Sequence, residues 1–280
     1  MTVNYYALHY HMKNSGVKFV INNIFDAIKE YGDSKLFVIY DDTTETYNYE
    51  SVQSIGLPEI GYNEKTYKSY VAFDKAAKEL SEKIESVMKL EEPCVLHAHN
   101  VNLCKNTLLG RALYHLSHRN LDNLKILMQV HDFAEDGREH LLKHMQTCVE
   151  GATESEIMSV AYPQAKNITY STINSRDQKI LSKIGIKNVF FFPNNINSEV
   201  LEMEPKISGL SQALSAYAKK HGYVFDPDRR TLLSPIKIIE RKNVVETLSV
   251  LEKLNAKKDE WQLLITLDAH SENDKAYAHA

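Results

Sequence analysis

The sequence holds three cysteines, Cys94, Cys104 and Cys148, and no Cys-x-x-Cys pair. Widely spaced and odd in number, they exclude a disulfide-built scaffold and fit a reduced, cytoplasmic chain. No stretch approaches the roughly 20 apolar residues that a membrane-crossing helix needs, which leaves membrane contact of the peripheral kind alone open. The first residues, MTVNYYALHYHMKN, show no basic region followed by a long apolar run, so no signal peptide is expected. Positive charge is also short. Lys and Arg number 33 against 37 Asp and Glu, a formal net charge of −4, and the densest basic run, DRRTLLSPIKIIERK, is broken by apolar residues. Nucleic-acid binding needs a clustered positive face, so that class is set aside. No Gly-x-Gly-x-x-Gly follows the first strand-like segment, which argues against a dinucleotide enzyme. Repeats and low-complexity tracts are missing too.

What is present is a chain of 280 residues, 43% hydrophobic, enough for a real core. Strand-like and helix-like patterns alternate along it. NYYALHYH reads as a strand, and Val17, Val20, Ile21, Ile24, Ile28 and Tyr31 then fall at helical spacing before Gly32. KLFVIYDD is a second strand, followed by a polar, tyrosine-rich stretch to about Tyr70. Phe73, Ala76, Ala77, Leu80, Ile84 and Val87 mark another helix, PCVLHAH another strand, and Leu108 to Leu116 another helix. KILMQVHD, NITYSTI and NVFFFPNNI read as further strands, with a helix opened by Asn174 between the last two. This alternation, with strands that are near-continuous apolar runs, predicts an α/β fold: a parallel sheet with helices on both faces. Ligands of such sheets sit beyond the carboxyl ends of the strands.

The stretch from Ser198 to Asp228 differs. It is charged, contains Pro205 and Pro227, and carries one helical pattern near Leu210 to Lys220. Beyond it, strand, helix and strand resume. Asn243 and Glu246 have the spacing of a capping box, and Val244, Leu248, Leu251 and Leu254 would form the buried stripe. The expected organisation is a first domain over 1–197, a linker with a short helix over 198–230, and the beginning of a second domain over 231–280.

Four patches fall at strand ends or strand-to-helix turns. In HYHMKNSGV, Gly16 precedes a helix whose free N–H groups attract anions, although an ordinary turn has the same look. His131 and Asp132 end an apolar strand, with Glu135, Asp136, Gly137 and Arg138 behind them. A histidine there can donate, accept or shuttle protons, and carboxylates can orient it or bind hydroxyls. Lys237, Arg241 and Lys242 straddle the exit of LLSPIKI, where a helix start disfavours cations unless an anion joins them. In HAHN, His97 and His99 are expected on opposite faces of their strand, poor geometry for a metal. His140 and His144 share a helical face, but HLLKH lacks the acid of the zinc-peptidase pattern, so no metal is expected.

HYHMKNSGVKFVI, VLHAHN, QVHDFAEDGR, FFPNNI and LLSPIKIIERKN occur in the order seen in retaining glycosyltransferases of the GT-B fold, and the chain resembles bacterial members of that large group over most of residues 4–268. The resemblance implies two Rossmann-like halves, an acceptor half and a nucleotide-sugar half. It implies transfer of a sugar, with retention, from a nucleotide-sugar to a hydroxyl of a carbohydrate-type acceptor, with no cofactor. By resemblance His131 and Asp132 lie beside the transferred sugar, Gly16, Lys237 and Lys242 hold the donor diphosphate, and His99, Asn100 and Glu135 are candidates on the acceptor side. Two positions depart from the pattern. Lys237 replaces an arginine and loses its planar fork, and Asn195 replaces a turn glycine, for which its tolerance of left-handed geometry suits it. The group's acidic Glu-x7-Glu segment lies further downstream, so the chain is expected to be incomplete. A non-catalytic module that binds a sugar or a partner is the alternative, and oligomers are compatible with either.

Overall fold

The computed structural model describes residues 2–43, 45–119, 121–136, 138–196, 208–256, 258 and 260–267. Two compact units divide the chain, Met1–Leu201 and Glu202–Ala280. The expected boundary after residue 197 lies outside the described residues.

The first unit is built on seven strands: β1 (Val3–Leu8), β2 (Ser34–Tyr40), β3 (Val52–Gly56), β4 (Cys94–His99), β5 (Leu124–Val130), β6 (Ile168–Thr172) and β7 (Val189–Phe191). All pair in parallel, in the order β3-β2-β1-β4-β5-β6-β7. From β1 the chain first builds outward through β2 and β3, then returns and builds the other way from β4. The reversal falls between β1 and β4. Side chains alternate across the sheet. Tyr6 and Leu8 join a core that also takes in Phe73, Leu80 and Leu113 of the helices α2 (Tyr70–Ser86) and α3 (Thr107–Ser117). Tyr5 and Ala7 face the opposite way, against Ile21, Ile24 and Phe25 of α1 (Gly16–Tyr31).

The helices start where side chains can satisfy their free N–H groups. Ser15 Oγ accepts from Lys18 N at 3.2 Å, and Asn174 Oδ1 accepts from Asp177 N at 2.9 Å at the head of α6 (Ser175–Lys183). Between β5 and β6 lie α4 (Glu139–Thr147) and α5 (Glu154–Ala161), the second opened by a full capping box of Thr153 and Glu156. α3 packs tightly on α5, because Gly110 offers no side chain: a Cβ there would stand 1.9 Å from the carbonyl oxygen of Val160.

Several expectations are corrected. The tyrosine-rich stretch contains the edge strand β3, and isolated bridges tie Asn63 to Asn106 and Tyr67 to Val149. NVFFFPNNI yields three strand residues only. Asn195 does not take the left-handed conformation expected of it; positive φ among the described non-glycine residues is confined to Ser51, Asn100, Cys104 and Asn243. Asn195 serves as a tie. Its Nδ2 donates to Asn23 O at 2.9 Å, and Asn23 Nδ2 returns a bond of 2.9 Å to Asn195 O.

The second unit contains α7 (Leu210–His221), β8 (Arg230–Lys237), α8 (Val244–Asn255) and β9 (Trp261–Leu267). β8 and β9 pair in parallel, with a shift of register between Ser234 and Lys237 where Pro235 supplies no N–H. Asn243 does precede α8, but at φ 54° its side chain makes no capping bond. Of the expected stripe, Val244 is buried, whereas Leu248 is 49% and Leu254 38% exposed. Two strands are too narrow a platform to cover that face.

Candidate functional site

The chain reversal places the carboxyl ends of β1 and β4 side by side, with β5 next to β4. A crevice at such a point is where open α/β sheets take their ligands. His9 follows β1, His99 ends β4, Asn100 follows it, and His131 and Asp132 follow β5. The structure therefore brings four of the sequence-predicted residues, His99, Asn100, His131 and Asp132, to one place, and adds His9, which sequence reasoning missed.

The histidines form a connected set. His99 Nδ1 lies 3.0 Å from His131 Nε2, so one ring donates and the other accepts. His9 donates from Nδ1 to His99 O at 3.3 Å. His97 and His99 stack, with ring centroids 4.2 Å apart. Opposite faces were expected of that pair. Residues two apart on an extended strand share a face, and the rings do so here. Burial pushes the pKa of His9 and of His97 down to about 3 and holds His99 well below the usual range. Burial also lowers His131 to about 4, although Asp132 opposes it. All four are neutral imidazoles near pH 7. Tyr5, kept protonated by burial, donates its O–H to His97 Nδ1. His99 Nε2 is buried without a hydrogen-bond partner.

His131 is the partly exposed member of the set, while His99 is fully buried. His99 thus touches His131 rather than solvent. Asn100 sits in left-handed geometry at φ 57° and accepts from His131 N with Oδ1 at 2.8 Å. Asn102 Nδ2 donates to Asp132 O at 2.8 Å. Arg138 NH2 donates to Asp132 Oδ2 at 2.7 Å while its NH1 reaches Phe133 O at 3.1 Å. These bonds fix the backbone on either side of His131 and aim the Asp132 carboxylate. Glu135 is exposed in the turn that follows.

Gly16 opens α1 at the same edge. Its φ is not positive, and nothing lies within 4 Å of where a Cβ would stand, so the glycine answers no demand of the fold itself. Lys237 ends β8 and Lys242 precedes α8, both in the second unit. Lys242 is exposed; the side chains of Lys237 and Arg241 lie outside the described residues.

Among the described residues no three His, Cys, Asp or Glu side chains converge as a metal's ligands, and no helix is long and apolar enough to cross a membrane. An apolar recess of about 410 Å³ lies between α1 and the residues after β7, lined by Ile24, Ala27, Ile28, Gly32, Phe192 and Asn195, and its Phe192 ring stands 6.4 Å from that of His97. It offers a ligand no charge and no acid or base.

No family model matches the chain. It is 30% identical over 283 residues to the mannosylglucosyl-3-phosphoglycerate synthase of Petrotoga mobilis, an alignment that takes in 98% of this chain and 52% of that protein. The chain thus spans about half the length of the curated relative it matches. Among solved structures it resembles the N-terminal domain of trehalose-6-phosphate phosphatase from Candida albicans, with a TM-score of 0.61 at 11% identity over 99% of this chain and 66% of that one. A UDP-forming trehalose-phosphate synthase from Burkholderia xenovorans gives 0.57 at 12% identity, over 100% and 68%. The catalytic domain of starch synthase IV from Arabidopsis thaliana, bound to ADP and acarbose, gives 0.52 at 12%, over 99% and 75%. At such identities the likeness is one of fold, a Rossmann-like α/β architecture.

Proposed function

We propose that this chain is part of a glycosyltransferase that moves a sugar from a nucleotide-sugar to an acceptor hydroxyl with retention. The observation that carries the reading is the polar cluster at the strand reversal, where a neutral His131 is held by His99 and Asn100. A neutral imidazole can donate to or accept from a sugar hydroxyl without burying a charge. Asp132, aimed by Arg138, supplies acceptors for further hydroxyls. The similarity to the synthase from Petrotoga mobilis points the same way, and that enzyme's name suggests an acceptor carrying a phosphoglycerate.

In this reading the bond from the anomeric carbon to the diphosphate breaks as the acceptor hydroxyl attacks from the same face. The hydroxyl proton leaves with the diphosphate. Charge growing on that leaving group is met by the N–H groups at the head of α1, approached across Gly16. No metal is assigned a role. His99 and Asn100 act through His131, and Glu135 is left to meet the acceptor.

Incubation with UDP-, GDP- and ADP-sugars plus a phosphoglycerate-bearing acceptor, followed by measurement of released nucleotide, tests the proposal. Acceptor-dependent release supports it. Acceptor binding by calorimetry without release from any donor would instead leave a sugar-binding module.

A further inference from the structure

A second polar cluster stands beside the histidines on the same edge of the sheet. Lys105 Nζ donates to Tyr62 Oη at 2.8 Å and lies 4.8 Å from the centre of that ring. His11 Nε2 is 3.0 Å from the same oxygen. An ammonium group only donates, so Tyr62 Oη accepts from Lys105, and the His11 tautomer sets the direction of its bond to His11 Nε2. Two N–H groups of Lys105 remain. Burial first, and then Lys105 and Lys13, lower the pKa of His11 to about 4, while Asp41 opposes them.

The cluster is pinned rather than loose. Asn63 N donates to Lys105 O at 2.8 Å, and Asn106 Nδ2 donates to Glu59 O and Gly61 O, each at 2.8 Å. Tyr62 and Lys105 are therefore carried on segments bonded to each other on both sides. Yet among the described residues no carboxylate pairs with Lys105 or Lys13. Asp41, the acid that acts on His11, is engaged by Thr43 N at 3.0 Å and by Thr43 Oγ1 at 2.6 Å. A cation oriented by a tyrosine and left without a counter-charge is what an anion-binding site needs. The distance to the histidines is short: the ring centroids of His11 and His9 are 5.3 Å apart, and His9 bonds to His99.

We propose that Lys105, Tyr62 and His11 form the subsite for the anionic group of the acceptor, a carboxylate or a phosphate, beside the hydroxyl-binding end of the crevice. Lys105 bonds the anion, Tyr62 aims Lys105, His11 fixes Tyr62, and Lys13 adds charge at the rim. The subsite deepens the transferase reading and rests on it for the word acceptor.

Calorimetry at low salt with 3-phosphoglycerate, glycerate, inorganic phosphate and glycerol tests this on the full chain. Wild type should bind 3-phosphoglycerate and leave glycerol unbound; glycerate against inorganic phosphate shows which group the subsite prefers. Lys105→Ala should weaken binding about tenfold or more, and Tyr62→Phe several-fold, with unchanged thermal melting. Asp41→Asn, which removes the opposing charge, should tighten it. Equal binding by wild type and Lys105→Ala, or no binding of any anion, overturns the subsite. Nucleotide release onto a neutral acceptor separates the two claims: release that persists while Lys105→Ala changes nothing sinks the subsite and spares the transferase, and the reverse pattern does the opposite.

Discussion

His99 Nδ1 and His131 Nε2 meet at 3.0 Å, across the adjacent exits of β4 and β5. One ring is fully buried and the other partly exposed, and the bond between them ties the tautomer of His131 to that of His99. Replacement of His99 by Phe keeps an aromatic ring on His97 and deletes the bond. Sugar transfer should fall about tenfold, the scale of one lost hydrogen bond of about 1 kcal/mol or a little more. The nitrogen resonances of His131 should lose their single-tautomer pattern, which a purely structural role for His99 would not alter.

Acid should unfold the first unit unusually early. His9 and His97 have folded-state pKa values of about 3, and His131 and His11 of about 4, all below the ordinary value of 6.5. The unfolded chain binds more protons between those limits, so stability is fully present above about pH 7 and is lost as pH falls toward 4. Each such histidine contributes a slope of up to about 1.4 kcal/mol per pH unit. Thermal melting from pH 7.5 to 5 should show a steep decline, and His97→Phe should flatten it.

Asn100 does two jobs that substitutions can separate. Its backbone is left-handed, and its side chain accepts from His131 N. Asn100→Gly keeps the backbone and loses the bond, whereas Asn100→Ala loses the bond and adds strain of about 1–2 kcal/mol. Alanine should therefore be the more destabilising of the two by about 1 kcal/mol in denaturant titration, and both should impair sugar binding.

Two glycines make an opposed pair. Gly110→Ala would drive a Cβ into the Val160 carbonyl and should destabilise by about 2–3 kcal/mol. Gly16→Ala meets nothing and should leave melting unchanged or slightly raised. If Gly16 marks the approach of a diphosphate, that silent change should still weaken nucleotide-sugar binding.

The second unit should open more readily than the first. Leu233 is 62%, Val245 57% and Val250 50% exposed, and among the described residues its sheet has two strands. Amide exchange over β8, α8 and β9 should be faster than over β4 to β6. Equal protection would show that this unit is held by more than its own contacts.

The alternating architecture was readable because six of the seven strands of the main sheet are apolar runs followed by turn or helix signals. β3 was not, because VQSIG is half polar and exposed along its edge; pairing with β2 rather than composition makes it a strand. His131 and Asp132 were legible as a polar pair closing an apolar run. The buried histidines behind them follow from strand alternation: His97 and His99 share a face because they are two apart. The Thr-x-x-Glu spacing at Thr153 carries the signal for the α5 cap. The bonds between Asn23 and Asn195 join residues 172 apart and leave no local trace. At Asn243 the cap spacing is present, but with a left-handed backbone the side chain makes no capping bond.

The most direct test is a nitrogen-resolved magnetic-resonance titration of the imidazoles with an acceptor sugar. The account predicts that His131 and His99 shift together and saturate, with His9 following, while the backbone amides of Ile24, Ala27 and Ile28 stay still. A saturating response confined to the apolar recess, with His131 unmoved, would contradict it.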